Sequence, residues 1–84
     1  MAHFVEFKKS ARKEVAALPL AVKDRVLHAI DALHVNPRPL GCKKLKSSGE
    51  YRIRVGDYRV VYEIHDDVLV VLVVKAAHRR DVYQ

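Results

Sequence analysis

The chain has a single cysteine, Cys42, in 84 residues. No disulfide can staple the fold, and no second thiol is there to share a metal. That usage fits a reducing cytoplasm. No glycine-rich phosphate loop is present and no Cys/His pair has zinc spacing, so neither a metal nor a cofactor is expected. Serine occurs only as Ser10, Ser47 and Ser48, outside the segments that read as strands, which leaves a triad without its nucleophile. The one adjacent carboxylate pair, Asp66-Asp67, falls in a turn remote from the basic cluster described below, a poor start for metal-dependent nuclease chemistry. The longest aliphatic run, Val68 to Val74, is far too short to span a bilayer. The opening MAHFVEFKKS has no apolar signal-peptide core. A cytoplasmic chain with no membrane partner is the expectation.

Half of the residues are hydrophobic and there is no low-complexity tract, so one small folded domain over 1–84 is expected. The formal charge of +6 points to a polyanionic partner, either nucleic acid or an acidic protein.

Most of the information lies in Tyr51 to Lys75, YRIRVGDYRVVYEIHDDVLVVLVVK. It reads as three consecutive strands. Gly56-Asp57 suits a two-residue hairpin loop, which sets Val55 opposite Tyr58. Counting outward, Tyr51, Ile53, Val55, Tyr58, Val60, Tyr62 and Ile64 share a core face. Arg52, Arg54, Arg59, Val61 and Glu63 share the other, with Arg54 directly across from Arg59. Like charges across a ladder destabilise by roughly 0.2–1 kcal/mol, so the cluster suggests an anion supplied from outside. A plain solvated sheet face is the alternative. The third strand is apolar on both sides and belongs in the middle of the sheet. With Asp66-Asp67 as its turn, Val70, Leu72, Val74 and Ala76 fall on the arginine side, as the floor of a shallow cationic groove.

Upstream, His3 to Phe7 alternates like a strand. Ala11, Val15 and Leu18 recur at helical spacing until Pro19 interrupts. A second helix runs from about Leu20 to Val35, its stripe Val22, Val26, Ala29, Ile30 and Leu33. Asn36-Pro37-Arg38-Pro39 ends it. The connection Leu40 to Glu50 carries Lys43, Lys44 and Lys46, which read either as a solvated loop or as a strip contacting backbone phosphates.

What remains for chemistry is Arg52, Arg54, Arg59, His78, Arg79, Arg80 and Tyr83. RNA can be cut without a metal because its own 2′-hydroxyl attacks the adjacent phosphate. Arginine suits the charge that builds on phosphorus but is a poor proton carrier. His78 is the natural carrier, and Tyr83 can donate a proton, orient the 2′-hydroxyl or stack on a base. Duller roles stand beside these: His78 as a cap of the last strand, Tyr83 as a C-terminal anchor, Arg80 as a solvated cation.

The run KKLK…YRIRVGDYRVVYEI, the aliphatic strand, the ending HRRDVY and the Leu18-Pro19 junction together resemble the RelE/ParE superfamily of bacterial toxins, the RelE branch more than the ParE branch. The resemblance covers essentially the whole chain. It implies an α+β fold, β-α-α-β-β-β with a short C-terminal element, its mostly antiparallel sheet packed on a two-helix hairpin. It implies a type II toxin that enters the ribosomal A site, contacts rRNA and cleaves mRNA, inhibiting translation. The partner implied is an acidic RelB-like antitoxin, partly disordered until it folds on the domain, and operator DNA is reached only through it. In that pattern Arg52 and Arg54 fill the basic pair before the turn, and Arg59, Arg79 and Tyr83 complete the catalytic set. Beside that set, Lys43, Lys44, Lys46 and Arg80 are, on their charge and position, the candidate RNA contacts. The best-understood members of that family carry lysine where Arg52 and Arg54 stand, one of them as general base. This departure shifts proton transfer to His78 or Tyr83, and it keeps open the ParE-like alternative, a DNA gyrase inhibitor without nuclease activity.

Overall fold

The computed structural model describes residues 2–45 and 49–82. The elements are β1 (Phe4–Phe7), α1 (Lys9–Ala16), α2 (Leu20–Ala32), β2 (Lys43–Lys44), β3 (Tyr51–Val55), β4 (Tyr58–His65), β5 (Val70–His78) and α3 (Arg79–Val82). They form the expected mixed α+β arrangement. One five-stranded sheet runs in the order β1-β5-β4-β3-β2, antiparallel except where β1 lies parallel to β5. The aliphatic strand β5 is interior, as its double-sided apolar pattern demands, but β4 holds the centre. The two-residue β2 forms inside the connection that the sequence left as a loop.

Both helices cover one face. Ala11 and Val15 of α1, and Val26 and Ile30 of α2 with Leu33 just beyond it, bury against Ile53, Val55, Val60, Tyr62, Val71, Val73 and Ala76. The spacing that marked these positions is therefore the core contact. α2 stops at Ala32, earlier than Val35. Its end tightens into i→i−3 bonds, from Leu33 N–H to the Ile30 carbonyl and from His34 N–H to that of Asp31 (both 3.0 Å).

The β3–β4 register is as counted, with Val55 opposite Tyr58 and Arg54 opposite Arg59. Gly56 has φ +60°, open to glycine and costly for other residues, and this permits the two-residue turn. The β4–β5 connection differs from expectation. It spans 66–69, with His65 paired to Val70 and Leu69 held at φ +55°. The Leu69 carbonyl accepts from Phe4 N–H at 2.7 Å, which docks β1 onto this bend.

A bulge in β5 changes one face assignment. Tyr62 pairs with Val73 but Val61 pairs with Lys75, so Val74 is the extra residue. Val70 and Leu72 keep to the arginine side. Ala76 is turned to the core, opposite Val60, and Lys75 and Ala77 take the arginine side instead. The predicted apolar floor is accordingly shorter and ends in a lysine. Past the end of β1, Glu14 of α1 steps in as an edge partner. Its carboxylate accepts from Ala76 N–H at 3.1 Å and from Lys75 Nζ at 3.5 Å.

Candidate functional site

β3 and β4 bring Arg52, Arg54 and Arg59 onto the face away from the helices, because alternate residues of a strand share a side. A two-residue hairpin makes Val55/Tyr58 a hydrogen-bonded pair. Arg54/Arg59 is then a non-bonded pair, the geometry with the closest side chains, about 4.5 Å between Cα atoms. Arg54 is exposed, whereas Arg52 and Arg59 are only 5% and 8% exposed. The buried Nε of each lacks a hydrogen-bond partner. One terminal nitrogen of Arg59 leans on the carbonyls of Tyr58 (3.3 Å) and Gly56 (3.5 Å), which aims the guanidinium along the turn. Neither arginine forms an ion pair among the described residues. Buried, uncompensated positive charge is expensive to keep.

The tail joins the same end of the sheet. Arg79 N–H donates to the Asp57 carbonyl at 2.7 Å, extending the ladder one rung, and Arg79 Nε lies 4.0 Å from Asp57 Oδ1. Arg79 opens α3 directly after His78, the last paired residue of β5, so it lies at the same end of the sheet as Arg59. His78, opposite Tyr58, leaves β5 on the other face and meets the Tyr58 ring edge-on at 5.3 Å between centroids. Its Nδ1 accepts from both Arg80 N–H and Arg80 Nε–H at 3.3 Å. So the structure gathers Arg52, Arg54, Arg59 and Arg79, while His78 reaches their end of the sheet from the opposite side. Arg80 is engaged with that histidine. Tyr83 and Lys46 lie outside the described residues.

The lysine strip is split in two. Lys43 pairs with Arg52 and falls on the arginine side. Lys44 pairs with Tyr51, and its Nζ stands 5.9 Å from that ring. Arg25 of α2 went unnoticed in the sequence. Its guanidinium comes within 3.4 Å of where a Cβ on Gly56 would sit, beside the turn that orients Arg59. Nothing local marks it, since it lies on the polar face of a helix whose docking angle the sequence does not give.

Set against known proteins, the whole chain finds relatives. A family model described as the ParE toxin of type II toxin-antitoxin systems matches residues 5–83. The chain belongs to the RelE/ParE toxin family. It is 32% identical to the putative toxin RelE1 of Methanocaldococcus jannaschii, over 95% of this chain and 93% of that one. It is 31% identical to toxin RelG of Mycobacterium tuberculosis, over 100% and 99%. The archaeal RelE-RelB complex from Pyrococcus horikoshii superposes with a TM-score of 0.83 at 32% identity, covering 98% of this chain and 100% of that chain. As a member of the family the protein is the toxin of a type II toxin-antitoxin system. No helix among its described residues is long and apolar enough to cross a membrane.

Proposed function

We propose that the protein is a ribosome-dependent endoribonuclease that cuts mRNA in the A site and so inhibits translation. The observation that supports this best is the pair of buried guanidinium groups, Arg52 and Arg59, each with an unpartnered Nε, on the sheet face that also carries Arg54. In this reading the substrate's 2′-hydroxyl attacks the adjacent phosphorus. The P–O bond to the 5′ oxygen breaks, leaving a cyclic phosphate and a new 5′-hydroxyl. Arg59 and Arg79 clamp the phosphate, and Arg52 and Arg54 stabilise the charge that develops on it. Arginine in this role holds its proton throughout. Proton transfer therefore falls to His78, Tyr83 or water, with Tyr83 also positioning the hydroxyl or the base. Lys43 extends the cationic surface toward flanking phosphates.

Translating ribosomes with a bound message give the direct assay. The expected result is a discrete cut in the A-site codon, mapped from mRNA 3′ ends. A 2′-deoxy nucleotide at the cut position should abolish it. An intact message after addition of the purified protein, or cleavage of the deoxy message, would overturn the reading.

The same system supplies a partner. An acidic antitoxin, like the RelB proteins in complexes of the structural relatives, would bind this +6 domain and cover the arginine face. Its association rate should fall as salt rises.

A second reading has one observation in its favour: the family model that matches residues 5–83 is described as the ParE toxin. That reading is a gyrase inhibitor without nuclease activity. Gyrase supercoiling with and without the protein separates the two.

A further inference from the structure

Between α2 and the hairpin turn lies a hollow of about 490 Å³. Its α2 wall is Asp24, Arg25, His28 and Ala29, and Gly56 and Arg54 close the other side. Arg25 and His28 are three residues apart on one helix, so their planar groups stand on neighbouring parts of one face. Both are exposed, and neither has an ion-pair partner among the described residues. The terminal nitrogens of Arg25 come within 3.4 and 3.5 Å of where a Cβ on Gly56 would sit. The guanidinium therefore overhangs the turn, in space that glycine leaves open. Ala29, the smallest side chain on the wall, leaves room for a flat group.

Two backbone groups border the same hollow unused. Arg54/Arg59 is a non-bonded pair of the β3–β4 ladder, so Arg54 N–H and Arg54 C=O both point outward from β3. Among the described residues neither has a hydrogen-bond partner. One donor and one acceptor stand side by side. Asp24 decides which ligands suit them. Its carboxylate repels a phosphate or any other anion, whereas a neutral group with a spare N–H can donate to it.

We infer that this hollow is a subsite for one unstacked nucleobase of RNA, read on its edge by the Arg54 backbone and stacked against Arg25 and His28. Each base carries an N–H donor beside an acceptor on its pairing edge, the complement of Arg54 C=O and N–H. Guanidinium and imidazole planes are the usual stacking surfaces for such a base. Asp24 adds discrimination. Adenine, guanine and cytosine have an amino hydrogen to give it, and uracil has none. The source of the base rests on the proposed nuclease reading. Arg54 turns its guanidinium to the phosphate-binding face and its backbone to the hollow, so the base belongs to a nucleotide flanking the scissile phosphate.

The test titrates the isotope-labelled protein with the four nucleoside 5′-monophosphates and with ribose 5-phosphate, up to millimolar concentration, following backbone amide shifts. The amino-bearing nucleotides should shift the Arg54 amide saturably, the uridine nucleotide more weakly, and ribose 5-phosphate not at all. Methylating the adenine amino group twice removes its donor and should weaken binding about tenfold relative to the parent nucleotide. The double substitution Arg25→Ala, His28→Ala removes the stacking planes and should cost at least about tenfold. Both side chains are exposed, and the amide spectrum shows whether the fold is kept. Several outcomes overturn the inference: no saturable shift at Arg54, an equal response to ribose 5-phosphate, or indifference to the double substitution in a folded protein. No readout involves cleavage. Nucleotide binding by a protein that leaves the message intact keeps the subsite and loses the nuclease reading, and cleavage without nucleotide binding does the opposite.

Discussion

At the end of the sheet beside the Asp66 turn, Arg38 is half exposed and fully engaged. It donates to Asp66 Oδ2 at 2.9 Å and to the Tyr51 hydroxyl at 3.4 Å, and its guanidinium lies 5.4 Å from the Tyr51 ring. Toward the Gly56 end and on the other face of the sheet, Arg52 at mid-strand and Arg59 beside the turn are buried and partly unpaired. Stability alone would favour the reverse, with the partners given to the cations that water cannot reach. Both ends belong to the same two strands, so the contrast is not a difference in scaffold quality. The Asp66 end is built to hold the fold. In the nuclease reading the Gly56 end keeps binding capacity in reserve, at a cost in stability that the bound phosphate repays.

The contrast is broken most severely by truncating Arg59. In the nuclease reading Arg59→Ala removes one transition-state contact, and single-turnover cleavage on programmed ribosomes should slow by ~10²–10³. A variant that cuts at the wild-type rate would leave the Gly56 end with no special role. The stability side of the same claim is read with Arg52, which makes no side-chain hydrogen bond or ion pair among the described residues. Arg52→Met keeps the volume and drops the charge. It should stabilise the fold by roughly 1–2 kcal/mol, within the range for apolar replacement of buried charge. For a domain of this size that is a rise in Tm on the order of 4–8 °C per kcal/mol. A fall in Tm would mean that the charge is already compensated.

The sequence carries these two ends unequally. Period-2 alternation and the Gly56-Asp57 loop fixed the β3–β4 register in advance, and with it the arginine face. Three things were hidden. The bulge at Val74 has no residue signature inside a uniformly aliphatic run, so every face assignment beyond it was off by one. And a strand order cannot be read from pattern when the outermost member is two residues long. The Asp66 network was hidden for another reason. His3, Arg38, Tyr51 and Asp66 are distant in sequence, and only the closed sheet makes them neighbours.

A smaller effect sharpens the structural side. Tyr62 is fully buried, and its hydroxyl donates to the Pro37 carbonyl at 2.8 Å, tying the loop after α2 to the central strand. Burial above all, and then the neighbouring Cys42 thiol, push its phenol well above the usual range, so it stays a donor. Tyr62→Phe should cost about 1 kcal/mol in denaturant unfolding, the usual worth of such a bond. Activity per folded molecule should not change.

The smallest effect depends on pH. Hydrogen bonds from Arg38 and then from His3 (3.0 Å to Asp66 Oδ1) hold the Asp66 carboxyl below its ordinary value of 3.8. The folded state therefore binds that proton more weakly than the unfolded chain. Asp66 contributes stability above the ordinary value, and the contribution is lost as pH falls through the lower folded one. Asp66 is exposed, so solvent screens the interaction and the effect is modest. Asp66→Asn should melt below wild type at neutral pH, and the gap in Tm should narrow as pH drops from about 5 toward 2. A gap that stays constant across that range would mean the side chain acts through shape rather than charge. The Asp66 end would then not be the electrostatically closed counterpart of the arginine face.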